Sequence, residues 1–364
     1  MQIGIIGLPT SGKTTVFNAL TGSHADTAIG GKKDPNRGVC FVPDPRLDRI
    51  EEIERSKKKT YATIELTDVA GLSKGASKEQ GFSNRFLGHL RDMEALLIVV
   101  RVFASDTIPH PDGEIDPVRD LETILAELYL ADMSLIENRL PRLEQMKKKD
   151  AARRKEYEQE ETSLRRFLAA LEQDRPIASV NPSEEEMEKY VRSYGLLSGS
   201  EILVLANVGD LTRPEEQTAL SALKSAAETH GFEMVVMNAQ LEMEVRDLPE
   251  EEWQEYFEAC GLEGSGTTAV IRASYRALRQ ISFLTGSEDE VRAWTITTGS
   301  KAPAAAGRVH TDMERGFIRA EVMAFEDLDR EGSYEACKKL GKYRIEGKDY
   351  VVQDGDVVHF RFSV

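Results

Sequence analysis

The segment Gly7-Leu8-Pro9-Thr10-Ser11-Gly12-Lys13-Thr14 fills the pattern G-x-x-x-x-G-K-[ST] and follows the apolar run Ile3 to Ile6. Strand, glycine-rich loop and helix in that order let backbone N–H groups converge on a β-phosphate. Pro9, Thr10, Ser11, Gly12, Lys13, Thr14 and Thr15 then form the cradle. Lys13 reaches the β and γ oxygens, and the Thr14 hydroxyl can ligate Mg²⁺ at the positive end of a helix expected over Thr15 to Leu20. A second word, Asp68-Val69-Ala70-Gly71, closes an expected strand from Tyr61 to Val69. Its carboxylate can hold Mg²⁺ through water while the Gly71 amide meets a γ-phosphate. A third, Asn207-Val208-Gly209-Asp210, stands where GTPases carry the base-reading N-K-x-D, with Val208 in the lysine's place. The same residues can instead build a turn that caps the next helix through Asp210 and Thr212. Asn238-Ala239-Gln240 follows another apolar run and can complete a base pocket.

These residues need a sheet whose strand ends meet. The first 120 residues alternate strand and helix, and Leu96 to Val100, Ile202 to Ala206 and Met234 to Met237 are apolar runs of the kind buried in a parallel sheet. Between them, Leu121, Ile124, Leu125, Leu128, Leu135, Ile136, Leu140 and Leu143 recur at helical spacing. After the charged stretch Lys147 to Glu161, the spacing returns through Leu164, Phe167, Leu168 and Leu171. This predicts an inserted antiparallel coiled-coil hairpin with a charged tip, its first helix kinked or ended at Pro141. Beyond Ala273, short strands are expected at Val291 to Thr297, Gly316 to Val322, Tyr350 to Val352 and Val357 to Val364, a small α+β domain. The expected fold is thus α/β: a split P-loop nucleotide domain over 1–120 and 199–277, a helical arm over 121–198, and a C-terminal domain over 278–364.

At 364 residues, two or three domains are expected. A formal charge of −16 argues against general attraction to nucleic acid or anionic membrane, so any RNA contact must be local. The candidate basic clusters are Lys57-Lys58-Lys59, Lys147-Lys148-Lys149 with Arg153-Arg154-Lys155, and Lys338-Lys339 with Lys342 and Arg344. No apolar run approaches a membrane span and no export signal opens the chain, so a soluble cytoplasmic protein is expected. Cys40, Cys260 and Cys337 lack metal-site or disulfide spacing.

The chain resembles the YchF or Obg-like ATPase family nearly end to end. The matching words include Phe17-Asn18-Ala19-Leu20-Thr21, Pro43-Asp44-Pro45-Arg46-Leu47, Asp68 to Leu72 with Lys74-Gly75-Ala76-Ser77, and Arg91. In the C-terminal part they are Val291 to Thr295, Gly307 to Asp312, Gly316 to Ala320 and Glu346 to Tyr350. The resemblance implies an OBG-type G domain with a C-terminal TGS domain of β-grasp fold. It also implies a slow, Mg²⁺-dependent NTPase that prefers ATP over GTP and binds the ribosome, through its large subunit or ribosomal RNA. Leu72 stands where many GTPases keep a water-orienting glutamine, and the resemblance assigns that work to His110, in a mobile loop from Asp106 to Gly113.

Two departures bear on activity. Lys32-Lys33-Asp34-Pro35-Asn36 replaces a word carrying a Mg²⁺-binding threonine, so either Thr27 substitutes or the ligand is missing. Asp210 replaces the family's glutamate with the carboxylate GTPases use for guanine. A non-hydrolysing, nucleotide-switched ribosome- or RNA-binding module and a GTP-specific GTPase are therefore the rival readings. A small-molecule kinase is disfavoured for want of an acceptor pocket signature. Oligomeric state is not legible.

Overall fold

The computed structural model describes residues 1–23, 35–69 and 84–363. Gly71, Leu72, Thr27 and Lys32 lie outside the described residues. The chain divides into two compact units, Met1–Gly38 with Glu65–Ser274, and Val39–Ile64 with Tyr275–Val364. Segment 39–64, read from sequence as part of the nucleotide domain, groups with the C-terminal unit because its own residues are built into it. Lys59 and Thr60 pair with Val291 and Arg292, and the Arg46 guanidinium donates to Asp354 at 2.8 Å.

The strands are β1 (Gln2–Ile6), β2 (Asn36–Val42), β3 (Lys59–Thr60), β4 (Ala62–Asp68), β5 (Ala95–Arg101), β6 (Glu201–Asn207), β7 (Glu233–Met237), β8 (Gln280–Gly286), β9 (Val291–Thr297), β10 (Phe317–Ala324), β11 (Arg344–Glu346) and β12 (Asp356–Phe362). One sheet runs β2-β4-β1-β5-β6-β7, parallel from β4 to β7. β5, Ala-Leu-Leu-Ile-Val-Val-Arg, is buried along its whole length, as a strand covered on both faces must be. In register, Ile5 faces Asp68, Arg101 faces Asn207, and Asn207 faces Met237. The carboxyl ends of five parallel strands therefore line one edge, where open α/β sheets bind ligands.

The helix Pro117–Lys149 starts on Asp116, whose carboxylate accepts from the Arg119 amide at 3.0 Å, and it runs through Pro141 without ending there. Pro141 is exposed, so water can take the carbonyl that proline leaves unpaired. The returning helix, Arg154–Leu171, takes up most of the stretch expected as a charged tip. Leu128, Ile136 and Leu143 meet Tyr157, Leu164 and Phe167 in the shared core. This hairpin belongs to the first unit.

The second unit carries the sheet β11-β10-β12-β8-β9-β3. The hairpin β8–β9 is antiparallel, and β12 lies parallel beside β8 and antiparallel to β10. Phe283, Val358 and Phe360 pack with Ala302, Ala305 and Ala306 of the helix Ala302–Val309. Tyr350 to Val352, expected as a strand, contributes only a single bridge from Val351 to Lys301.

Candidate nucleotide site

β1 delivers the chain into the loop 7–12, and the helix Lys13–Thr21 begins at Gly12, which has φ +88°. A Cβ there would collide with the Asn207 side-chain amide, so glycine is required twice over, by torsion and by space. Thr10 also adopts positive φ, +64°, a strained choice for a β-branched residue, and the next amide, that of Ser11, donates to the Leu8 carbonyl at 3.3 Å. Lys13 is buried, its ammonium donating to the Leu8 carbonyl at 3.3 Å. Burial pushes its pKa down, and the Asp68 charge partly offsets this.

The Thr14 hydroxyl donates to Asp68 Oδ2 at 2.9 Å, and Asn36 Nδ2 approaches the same oxygen at 3.5 Å. Among the described residues, Asp68 Oδ1 is buried without a partner, as is Ser11 Oγ. Burial pushes the Asp68 carboxyl up against the opposing pull of Thr14 and Lys13. A buried cation short of acceptors thus stands near a buried carboxylate short of donors. One hydroxyl and one carboxylate are hard oxygen donors that suit Mg²⁺, which retains several waters, and the orphaned Oδ1 is the atom such an ion would satisfy.

At β6, Asn207 acts as a tie. Its Nδ2 donates to the Ser11 carbonyl at 3.0 Å and its Oδ1 accepts from the Ala239 amide at 3.2 Å. Val208 and Ala239 are buried, so their side chains serve the core and only backbone is left for a base. Asn238 donates to the Gly209 carbonyl at 2.7 Å. Asp210 Oδ1 accepts from the Thr212 amide at 2.9 Å and its hydroxyl at 2.6 Å, while Oδ2 sits 3.6 Å from Arg213. Those Thr212 bonds hold the Asp210 carboxyl below its usual range. Asp210 thus closes a turn with Thr212, but the next helix, Pro214–His230, starts on Arg213 and has no side-chain cap.

His110 lies in the loop from Asp106 to Gly113, as expected, but is not placed to take up water. Its side chain is buried: Nδ1 accepts from the Asp112 amide at 3.2 Å, so Nε2 carries the proton and donates to Asp120 at 2.8 Å. Both ring nitrogens are occupied, and neither is free to accept from a water molecule. The cause lies in the helix start, where Asp120 sits one turn inside the N-terminus and is itself buried.

Two residues at this edge carry no motif. Arg101, at the end of β5, donates from Nε to Phe103 O at 3.1 Å, from Nη1 to Thr10 Oγ1 at 3.3 Å and from Nη2 to Ile108 O at 2.7 Å. Glu216, also buried, accepts from the Gly209 amide at 2.7 Å and the Ala104 amide at 3.4 Å. A charged residue ending an apolar run, or lying in a helix, gives no sequence sign of such work.

Residues 2–139 match the family model described as a 50S ribosome-binding GTPase, and residues 280–363 match the YchF GTPase C-terminal model, described as a protein of unknown function. The ribosome-binding ATPase YchF of Bacillus subtilis is 43% identical over 369 residues, covering 100% of both chains. The Obg-like ATPase 1 of Caenorhabditis elegans is 38% identical over 371 residues, covering all of this chain and 92% of its own. The solved structure of the Schizosaccharomyces pombe YchF GTPase superposes with a TM-score of 0.84 at 32% identity, covering 99% of this chain and 97% of that one. With the phosphate loop, the parallel sheet and the C-terminal unit all accounted for by full-length relatives, the chain belongs to the YchF and Obg-like ATPase family of P-loop proteins.

Proposed function

We propose that the chain is a slow Mg²⁺-dependent nucleoside triphosphatase of the cytoplasm that prefers ATP and works on the ribosome. The observation that carries this reading is the pairing of Thr14 with Asp68 beside buried Lys13, with Asp68 Oδ1 left unpartnered among the described residues. Mg²⁺, held there by Thr14 and Asp68, would supply charge neutralisation between the β- and γ-phosphates. Lys13 takes up γ-phosphate charge, and amides of the loop from Thr10 to Thr15 hold the β-phosphate, with Gly71 assigned to the γ-phosphate. The ATP preference rests on the likeness to relatives named as ATPases, and on Asp210, whose Oδ1 is already engaged by Thr212.

His110 is assigned to orient the attacking water, which requires it first to leave Asp120. His110→Ala should lower phosphate release about a hundredfold with little change in ATP affinity, the pattern of a group that acts only in the transition state. Unchanged turnover in a steady-state phosphate assay would remove His110 from the mechanism. The second reading, a non-hydrolysing switch, draws on one observation: both ring nitrogens of His110 are engaged. Absence of phosphate release by the unmodified chain would favour it.

Ribosome association, by this proposal with the large subunit, uses the arm and the C-terminal unit, which we read as a TGS-like β-grasp. At the arm tip, Lys147 pairs with Glu144 and Glu161, Arg153 with Glu156, and Arg154 with Glu158. Lys148, Lys149 and Lys155 have no ion-pair partner among the described residues, so theirs are the charges left for phosphate. Charge reversal at these three should weaken cosedimentation with ribosomes, and the same reversal at Arg153 and Arg154 should matter less. Equal effects would contradict the assignment.

A further inference from the structure

The segment 101–110 leaves the sheet at the middle of the ligand edge and touches both ends of the site. Its Val102 and Phe103 amides donate to the Asn207 carbonyl at 2.9 and 3.2 Å. Arg101 is among the largest fully buried side chains, and no ion pair to it exists among the described residues. A buried guanidinium without a carboxylate in contact is costly unless its donors are placed. Here three N–H groups are placed and the ring face of Phe103 lies 4.4 Å from the guanidinium carbon.

Two of those bonds, to Phe103 O and Ile108 O, would suffice to pin a local turn. The third reaches out of the turn to the phosphate loop, and to Thr10, the residue held there at positive φ. An anion that fixes the Thr10 amide also fixes the Thr10 hydroxyl on Arg101. Through the same planar fork it fixes Ile108, two residues before His110. A lysine cannot reproduce this, since its single nitrogen cannot span three acceptors set in different directions.

We infer that Arg101 is a positioning residue that couples occupancy of the phosphate loop at Thr10 to the segment carrying His110. Its consequence for hydrolysis rests on the triphosphatase reading above, whereas the coupling itself does not.

The test is hydrogen exchange of the amides from 104 to 113 in the full chain, with and without saturating ADP. ADP should slow exchange there about tenfold in the unmodified chain. In Arg101→Lys and in Thr10→Val the slowing should vanish at saturating ADP, and Thr10→Ser, which keeps the hydroxyl, should restore it. The Thr10 pair carries the test should Arg101→Lys fail to fold. A merely structural arginine would raise exchange with and without ADP alike and leave the ADP-dependent ratio intact. Such a ratio, or no slowing in the unmodified chain, overturns the inference. Phosphate release measured on the same proteins separates the two ideas: lost slowing in a chain that never hydrolyses ATP supports the coupling and removes the triphosphatase reading. Hydrolysis with slowing intact in Arg101→Lys does the reverse.

Discussion

Lys13→Ala is expected to raise the dissociation constant for ATP at least about a hundredfold while leaving the fold in place. The ammonium is buried, its pKa is pushed down by that burial, and it has one long bond to the Leu8 carbonyl at 3.3 Å. Its full set of acceptors arrives only with the phosphates. Two charge-assisted hydrogen bonds lost at about 1.5–3 kcal/mol each give about 3 kcal/mol or more, and each 1.4 kcal/mol is roughly tenfold in affinity. Removing the side chain deletes a desolvated charge together with its methylene stem, two opposing effects, so thermal stability should be largely retained. Calorimetric titration checks the first part and thermal unfolding the second. An alanine variant that binds ATP as tightly as its parent would mean the anion sits elsewhere.

Asp132→Ala is expected to destabilise the first unit by about 3–5 kcal/mol, a fall in melting temperature on the order of 10 °C. Asp132 lies inside the helix Pro117–Lys149 with no exposure. Its Oδ1 accepts from the Leu197 amide at 2.8 Å, and its Oδ2 from the Ser198 amide at 2.8 Å and the Ser198 hydroxyl at 2.6 Å. One carboxylate satisfies three donors where the arm returns to β6, and alanine would leave all three buried and unpaired. Burial pushes the Asp132 carboxyl up to about 6, against those hydrogen bonds and the Arg91 charge. A carboxyl raised in the folded state favours folding most below its ordinary value. That contribution is lost as pH rises from about 4 through about 6. In denaturant unfolding at pH 4, 5 and 6, stability should fall more steeply with pH in the unmodified chain than in the alanine variant. A variant with the same slope would place the titration on another group.

The phosphate loop, the ends of the buried strands and Asp68 were legible because their chemistry is local: glycine torsions, apolar runs and a hydroxyl-bearing helix start sit within a few residues. The Asp210 turn was legible too, since Asp210 and Thr212 are two residues apart, although it does not cap the helix Pro214–His230 as the spacing also allowed. What failed to show depends on residues distant in sequence. Segment 39–64 joins the second unit through β3 beside β9, more than 200 residues away. Tyr350 to Val352 has strand composition but finds only one bridging partner, Lys301. Of the two outcomes Pro141 allowed, an early end did not occur, because an exposed proline in a helix packed along its other face is tolerated. The burial of His110 needed Asp120, ten residues on, to be buried first. Arg101 reads as the charged end of Leu-Leu-Ile-Val-Val, and nothing in that run says its guanidinium turns inward.

Thr14 and Asp68, beside Lys13, are expected to hold a metal-bound nucleoside triphosphate. Calorimetric titration of the full chain with slowly hydrolysed ATP and GTP analogues, each with and without Mg²⁺, reads this at once. The expected result is tighter binding of both with Mg²⁺, and ATP analogue favoured over GTP analogue by less than about tenfold, about 1.4 kcal/mol. Binding that ignores Mg²⁺ would contradict the site, and a GTP analogue bound more than about tenfold tighter than its ATP counterpart would contradict the base preference drawn from Asp210.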